Sequence, residues 1–120
     1  MRGLFTTIAI TALGALAVPA CGGGSPTQME ARDQATTTSC DFYQRCDKIG
    51  SSKQYSTRDD CETQVKATFQ SAWPPEGCTN ISPTGLGNCE TAIRIADCTS
   101  GIDALSVLSK CSRMNVCGTP

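Results

Sequence analysis

The sequence predicts an all-α fold, a small disulfide-stapled array of three to four short helices, and three observations carry that prediction. Apolar and cysteine residues recur at helical spacing in several segments. Strand-like alternation of apolar and polar residues is absent. Nine cysteines stand in a chain of 120 residues with few large apolar side chains; at this size a single core contributes only about 3–5 kcal/mol, so covalent staples are expected to supplement it.

The first predicted helix covers Cys40-Asp41-Phe42-Tyr43-Gln44-Arg45-Cys46-Asp47. Ser39 is placed to cap its free amides, Asp41 suits the positive end of the helix dipole, and Gly50 marks the stop. The second opens at Ser56 or Thr57 and runs from Arg58 to Gln70, closing before Pro74-Pro75. Acids cluster at its start, and Cys61, Val65 and Phe69 repeat every four residues down one face. The third is expected from about Leu86 or Asn88 to Asp97, where Cys89, Ala92, Ile93 and Ala96 share a face. The fourth begins near Gly101 and reaches Cys111, with Ile102, Leu105 and Leu108 every three residues and Lys110 at the end that favours positive charge.

Upstream of this domain, residues 1–20 read as a signal peptide. Met1-Arg2 supplies a positive start, and the stretch from Leu4 to Val18 is apolar and uncharged. Its fifteen residues fall short of the ~20 needed to span the hydrocarbon core as a helix. Val18-Pro19-Ala20-Cys21 resembles the lipobox of bacterial lipoproteins, which makes Cys21 the expected lipidation site. Gly22 rather than aspartate after that cysteine favours the outer membrane over the inner. Residues 21–38 are expected to form a flexible tether, since from Gly22 to Thr38 the chain is Gly, Ser, Pro, Thr, Gln and charged residues with almost no apolar side chains, Met29 and the alanines excepted. Residues 39–120 then form the disulfide-bonded helical domain.

With Cys21 set aside, the nine cysteines become eight: Cys40, Cys46, Cys61, Cys78, Cys89, Cys98, Cys111 and Cys117. An exported location provides the oxidising environment that disulfides require. Sequence alone leaves their pairing open. Hairpin geometry favours Cys46 with Cys61 and Cys89 with Cys111, leaving Cys40, Cys78, Cys98 and Cys117 to close the termini and the Pro-rich loop.

The chain contains no histidine, which excludes Ser-His-Asp and Cys-His triads and a His general base. Without histidine or a Cys-x-x-Cys pair, no metal site and no cofactor are expected. Loss of Arg2 with the signal peptide leaves nine basic against eleven acidic residues, and the basic ones are dispersed, so no nucleic-acid partner is expected. Asp59, Asp60 and Glu62 are read as helix-start charges rather than a catalytic pair. Trp73, beside Pro74-Pro75, is read with Phe42, Tyr43 and Phe69 as core rather than as an exposed anchor. The reading is of a protein that is not an enzyme.

The runs Cys40-Asp41-Phe42-Tyr43-Gln44-Arg45-Cys46, Lys53-Gln54-Tyr55-Ser56-Thr57-Arg58-Asp59-Asp60-Cys61-Glu62, Ala92-Ile93-Arg94-Ile95-Ala96-Asp97-Cys98 and Asn115-Val116-Cys117 resemble a family of small cysteine-rich lipoproteins of myxobacterial type. That family is of unknown function and is sometimes labelled a natural product biosynthesis lipoprotein. The resemblance implies an accessory link to such pathways and transfers no catalytic or binding residue. The expected function is a lipid-anchored, non-catalytic envelope protein presenting a rigid domain for binding or scaffolding. The alternative is a carrier of small hydrophobic molecules or lipids, although the cysteine spacing differs from that of plant lipid-transfer proteins.

Overall fold

The computed structural model describes residues 25–102 and 105–118. These residues hold five helices and no strand: α1 (Gln28–Arg45), α2 (Arg58–Ala72), α3 (Pro83–Ile95), α4 (Leu105–Lys110) and α5 (Arg113–Val116). The all-α expectation stands. No helix among the described residues is long and apolar enough to cross a membrane. The expected signal peptide and Cys21 lie outside the described residues.

The largest departure is α1, which begins twelve residues before Cys40. Residues from Gln28 to Thr38, expected as tether, are its first three turns. A capping box starts the helix: Glu30 N–H donates to the Thr27 hydroxyl at 3.2 Å and Thr27 N–H donates to the Glu30 carboxylate at 2.7 Å. Ala31 and Ala35, one turn apart, are fully buried. Their small size lets the helix lie close against its neighbours, a source of burial that a search for large apolar residues overlooks. Ser39, expected as a cap, is instead mid-helix and buried, its hydroxyl donating to the Ala35 carbonyl at 2.7 Å. The helix stops at Cys46, and Asp47 with φ 57° makes the left-handed turn assigned beforehand to Gly50.

α2 matches its prediction. The Thr57 hydroxyl accepts from Asp60 N–H at 3.0 Å, and Cys61, Val65 and Phe69 form the buried face. α3 starts earlier than predicted because Ser82 caps it and Pro83 occupies the first turn. Gly85, which blurred the predicted start, is inside the helix for packing: a Cβ there would lie 1.7 Å from the Asn115 carbonyl oxygen. The helix ends at Ile95 as Ala96 turns extended.

α4 is shorter than the predicted 101–111 segment, and its faces are differently assigned. Leu105 and Leu108 are 85% and 55% exposed, whereas Val107 is buried. A fifth helix, unexpected from the sequence, carries the buried Val116.

α1 and α2 run antiparallel, joined by the 46–57 connection. The ends of α1 and α3 coincide, since the Arg45 guanidinium donates to the carbonyls of Arg94 and Ala96 at 2.9 and 3.2 Å. At the opposite end, where α1 begins, the Gln28 amide donates to the Trp73 carbonyl and the Arg113 guanidinium to that of Gly77. There Ile81 also bridges Cys117.

All eight described cysteines are paired, as Cys40–Cys61, Cys46–Cys98, Cys78–Cys117 and Cys89–Cys111. The Cys89–Cys111 expectation holds. The favoured Cys46–Cys61 pair is corrected: the long connection sets the start of α2 level with Cys40, with Cα atoms 6.0 Å apart. Cys46, one residue past the end of α1, is free to meet Cys98 just beyond α3.

Candidate functional site

Three concavities mark the surface of the described residues, one of them a shallow polar hollow of about 470 Å³ lined by Asp41, Glu90 and Arg94 among others. The first is a broad open groove of about 820 Å³ between α1 and α2, lined by Asp33, Thr36, Thr37, Asp59, Glu62, Thr63 and Lys66 among others. Most of its charges are already paired. Lys66 pairs with Asp33 at 2.6 Å and Arg58 with Glu62 at 2.9 Å.

The acidic cluster follows its helix-start reading. Asp60 holds its helix start together: its carboxylate accepts from the Gln64 amide at 2.8 Å and from Ser56 N–H at 3.1 Å, and those bonds, Gln64 first, lower its pKa. A carboxyl held in its charged form by donors is the reverse of the raised acid that proton donation near neutral pH requires.

The second concavity is an apolar cleft of about 370 Å³. Its floor is Val65 and Phe69 from α2 and Ile93 from α3. One wall is aromatic: Tyr43 from α1 meets Tyr55 edge-on, with ring centroids 4.9 Å apart. The other is the C-terminal stretch, with Ile102, Val107 and Leu108. Gln54, Thr68 and Ser112 place polar groups in its lining.

Each wall is fixed by local structure. Tyr55 sits on a tight connection where Tyr55 N–H donates to the Lys48 carbonyl at 3.0 Å and Gly50 N–H to the Tyr55 carbonyl at 2.8 Å. Asp47 and Ser52 adopt positive φ in this connection, and Lys53 pairs with Asp47. The opposite wall is tied to α3 by Cys89–Cys111. Trp73 supports it, being fully buried, tilted against Phe69 with ring centroids 4.7 Å apart and donating from its indole N–H to the Cys111 carbonyl at 2.9 Å. The expected core role of Phe42, Tyr43, Phe69 and Trp73 therefore stands.

Sequence reasoning missed the cleft. Its lining is drawn from five separate segments, and Tyr55 and Ile102 stand outside any helix, where periodicity gives no signal. The chain has few large apolar side chains. The cleft needs few, because core residues line it from one side.

No curated protein and no solved structure matches the chain. A family model described as a family of unknown function, DUF6184, matches residues 40–119. The match takes in every paired cysteine and every residue of the cleft, and it begins in the middle of α1, leaving the first turns of that helix outside. By that match, covering two thirds of its length, the chain belongs to the family of unknown function DUF6184.

Proposed function

We propose that this is a lipid-anchored, non-catalytic protein of the bacterial envelope, whose disulfide-bonded domain binds a small apolar molecule in the cleft between α2, α3 and α4. The cleft carries this reading. Its volume of about 370 Å³ falls within the ~300–1,000 Å³ of ordinary ligand pockets, and its lining is mostly apolar with a few polar groups, the usual composition of such sites. Covalent closure adds a physical reason. A wall tied to α3 by Cys89–Cys111 loses little freedom when a ligand enters, so less of the contact energy is offset by ordering.

The absence of histidine and the partners already held by Asp33, Asp60 and Glu62 support binding over catalysis. The lipobox-like Val18-Pro19-Ala20-Cys21 supports the anchor, and Gly22 favours the outer membrane. An accessory part in natural product biosynthesis, implied by the family resemblance, fits a site that holds an apolar product.

Titration of the mature protein with the neutral fluorophore N-phenyl-1-naphthylamine tests the reading. Saturable enhancement at one site per chain is expected, weakened at least about tenfold in Leu108→Arg, which sets a charge at the exposed rim without disturbing the core. Enhancement that never saturates, or that is unchanged in Leu108→Arg, would refute it. Intact mass of protein extracted from membranes tests the anchor separately, by reporting acylation at Cys21.

A further inference from the structure

We propose that the end of the bundle where α1 begins rests on the lipid surface, with Met29 and Met114 as its apolar contacts. The inference rests on the anchor at Cys21 and adds to it a docking face and an orientation. The capping box at Thr27 sets the geometry, for it brings the folded domain to within six residues of Cys21, where the sequence pointed to a tether running to residue 38. Six residues span at most about 20 Å even when fully extended. α1 alone, with 18 residues, is about 27 Å long at 1.5 Å per residue. The anchor is therefore shorter than the domain it holds, and it is attached at one end.

That end is formed by four segments tied together. The Gln28 amide reaches the Trp73 carbonyl, and Arg113 reaches Gly77 across the turn that follows Trp73. Ser82 N–H, at the start of α3, donates to the Val116 carbonyl at 2.8 Å, and Cys78–Cys117 locks the same region. Two large apolar side chains stand out to solvent there, Met29 at 67% and Met114 at 91% exposure. Pro75, in the turn between Trp73 and Gly77, is exposed as well. Arg32 and Arg113 are offset by Glu30 and Glu76 on the same end, so apolar insertion rather than charge is the source of affinity, and lipids without net charge suffice. Flexible methionine side chains suit an irregular, shifting surface of this kind.

With the signal peptide removed, Met29 and Met114 are the two methionines of the chain, which makes a direct test possible. Acylated protein labelled with 13C at methionine and isoleucine methyls is placed, one copy per disc, in phosphatidylcholine nanodiscs with and without doxyl-labelled lipid. Both methionine signals are expected to lose most of their intensity to the doxyl groups. Ile95, 77% exposed at the opposite end, is expected to keep its own. Equal loss at Ile95 and the methionines, or loss at neither, overturns the proposed face while acylation at Cys21 in the same sample leaves the anchor standing. A mass without acyl groups at Cys21 removes both. Methionine signals that broaden only when several copies share a disc assign this end to a second copy of the chain and also overturn it.

Discussion

The α1–α2 pair and the stretch after α3 are held by different means. The pair consists of two long helices with capped starts, a buried stripe and ion pairs along the seam, Lys66 with Asp33 and Arg58 with Asp41 at 2.8 Å. A single disulfide, Cys40–Cys61, joins the two helices. The described residues of 96–118 hold two helices of six and four residues, and α4 leaves Leu105 and Leu108 in solvent. Three of the four disulfides end in this stretch, at Cys98, Cys111 and Cys117. Helices that short are not stable by themselves, so cross-links and a few buried side chains fix them. A segment fixed in this way need not follow the amphipathic pattern, and this one does not.

Trp73 lies on the seam between the two regions and gives the largest expected effect. It accepts from Gln28 of α1 through its carbonyl and donates to Cys111 through its indole. Trp73→Ala is expected to cost about 3–5 kcal/mol in denaturant unfolding, with both regions losing protection together. Trp73→Phe keeps most of the burial and is expected to cost far less, about 1 kcal/mol for the lost bond to the Cys111 carbonyl.

Replacing Cys89 and Cys111 together by alanine comes next, at about 3 kcal/mol for a loop of this size, read by thermal unfolding. Hydrogen exchange sharpens the comparison. Protection is expected to fall in residues 105–118 while α1 and α2 keep theirs. A uniform fall would break the distinction between a helix-packed and a cross-linked region.

The same contrast explains what could be read from the sequence. α2 was legible to its cap because Thr57, the following acids and the Cys61-Val65-Phe69 stripe all point to one helix. Cys89–Cys111 was legible because both residues flank a short reversal. The first turns of α1 were not, since their burial comes from Ala31 and Ala35 among polar neighbours, a composition shared with linkers. α4 misled in the opposite direction: Ile102, Leu105 and Leu108 have helical spacing, yet Val107 is the buried residue. The cleft was illegible because it is a property of how five segments meet, and the Cys40–Cys61 register depended on the bridged Ile49–Tyr55 connection.

Thr27→Ala probes the part of α1 that lies outside the family match. It removes the hydroxyl that accepts from Glu30 N–H and is expected to cost about 1 kcal/mol. Faster exchange should be confined to the first turns of α1, and Thr27→Ser should restore the parent value. Loss of protection across all of α1 would show instead that residues 28–39 and 40–45 are one cooperative unit, nucleated at the cap.

The smallest effect expected is at Asp97, where α3 hands the chain to the cross-linked region. Its carboxylate accepts from the Thr99 hydroxyl, Ser100 N–H and Thr99 N–H at 2.5, 2.7 and 2.8 Å, and these bonds, the hydroxyl first, bring its pKa down from 3.8 to about 2. A folded-state value below the unfolded one means that the charged form stabilises the turn above about pH 4, and that this contribution fades as pH falls towards 2. The group is fully exposed, so solvent screening keeps the effect local. NMR titration is expected to show the Asp97 carboxyl and the amides of Thr99 and Ser100 moving together with a midpoint near 2, and Asp97→Asn should abolish that step. A midpoint near 3.8 would mean that the turn is open in solution, leaving Cys46–Cys98 and the Arg45 bonds to Arg94 and Ala96 to hold the chain where it leaves α3.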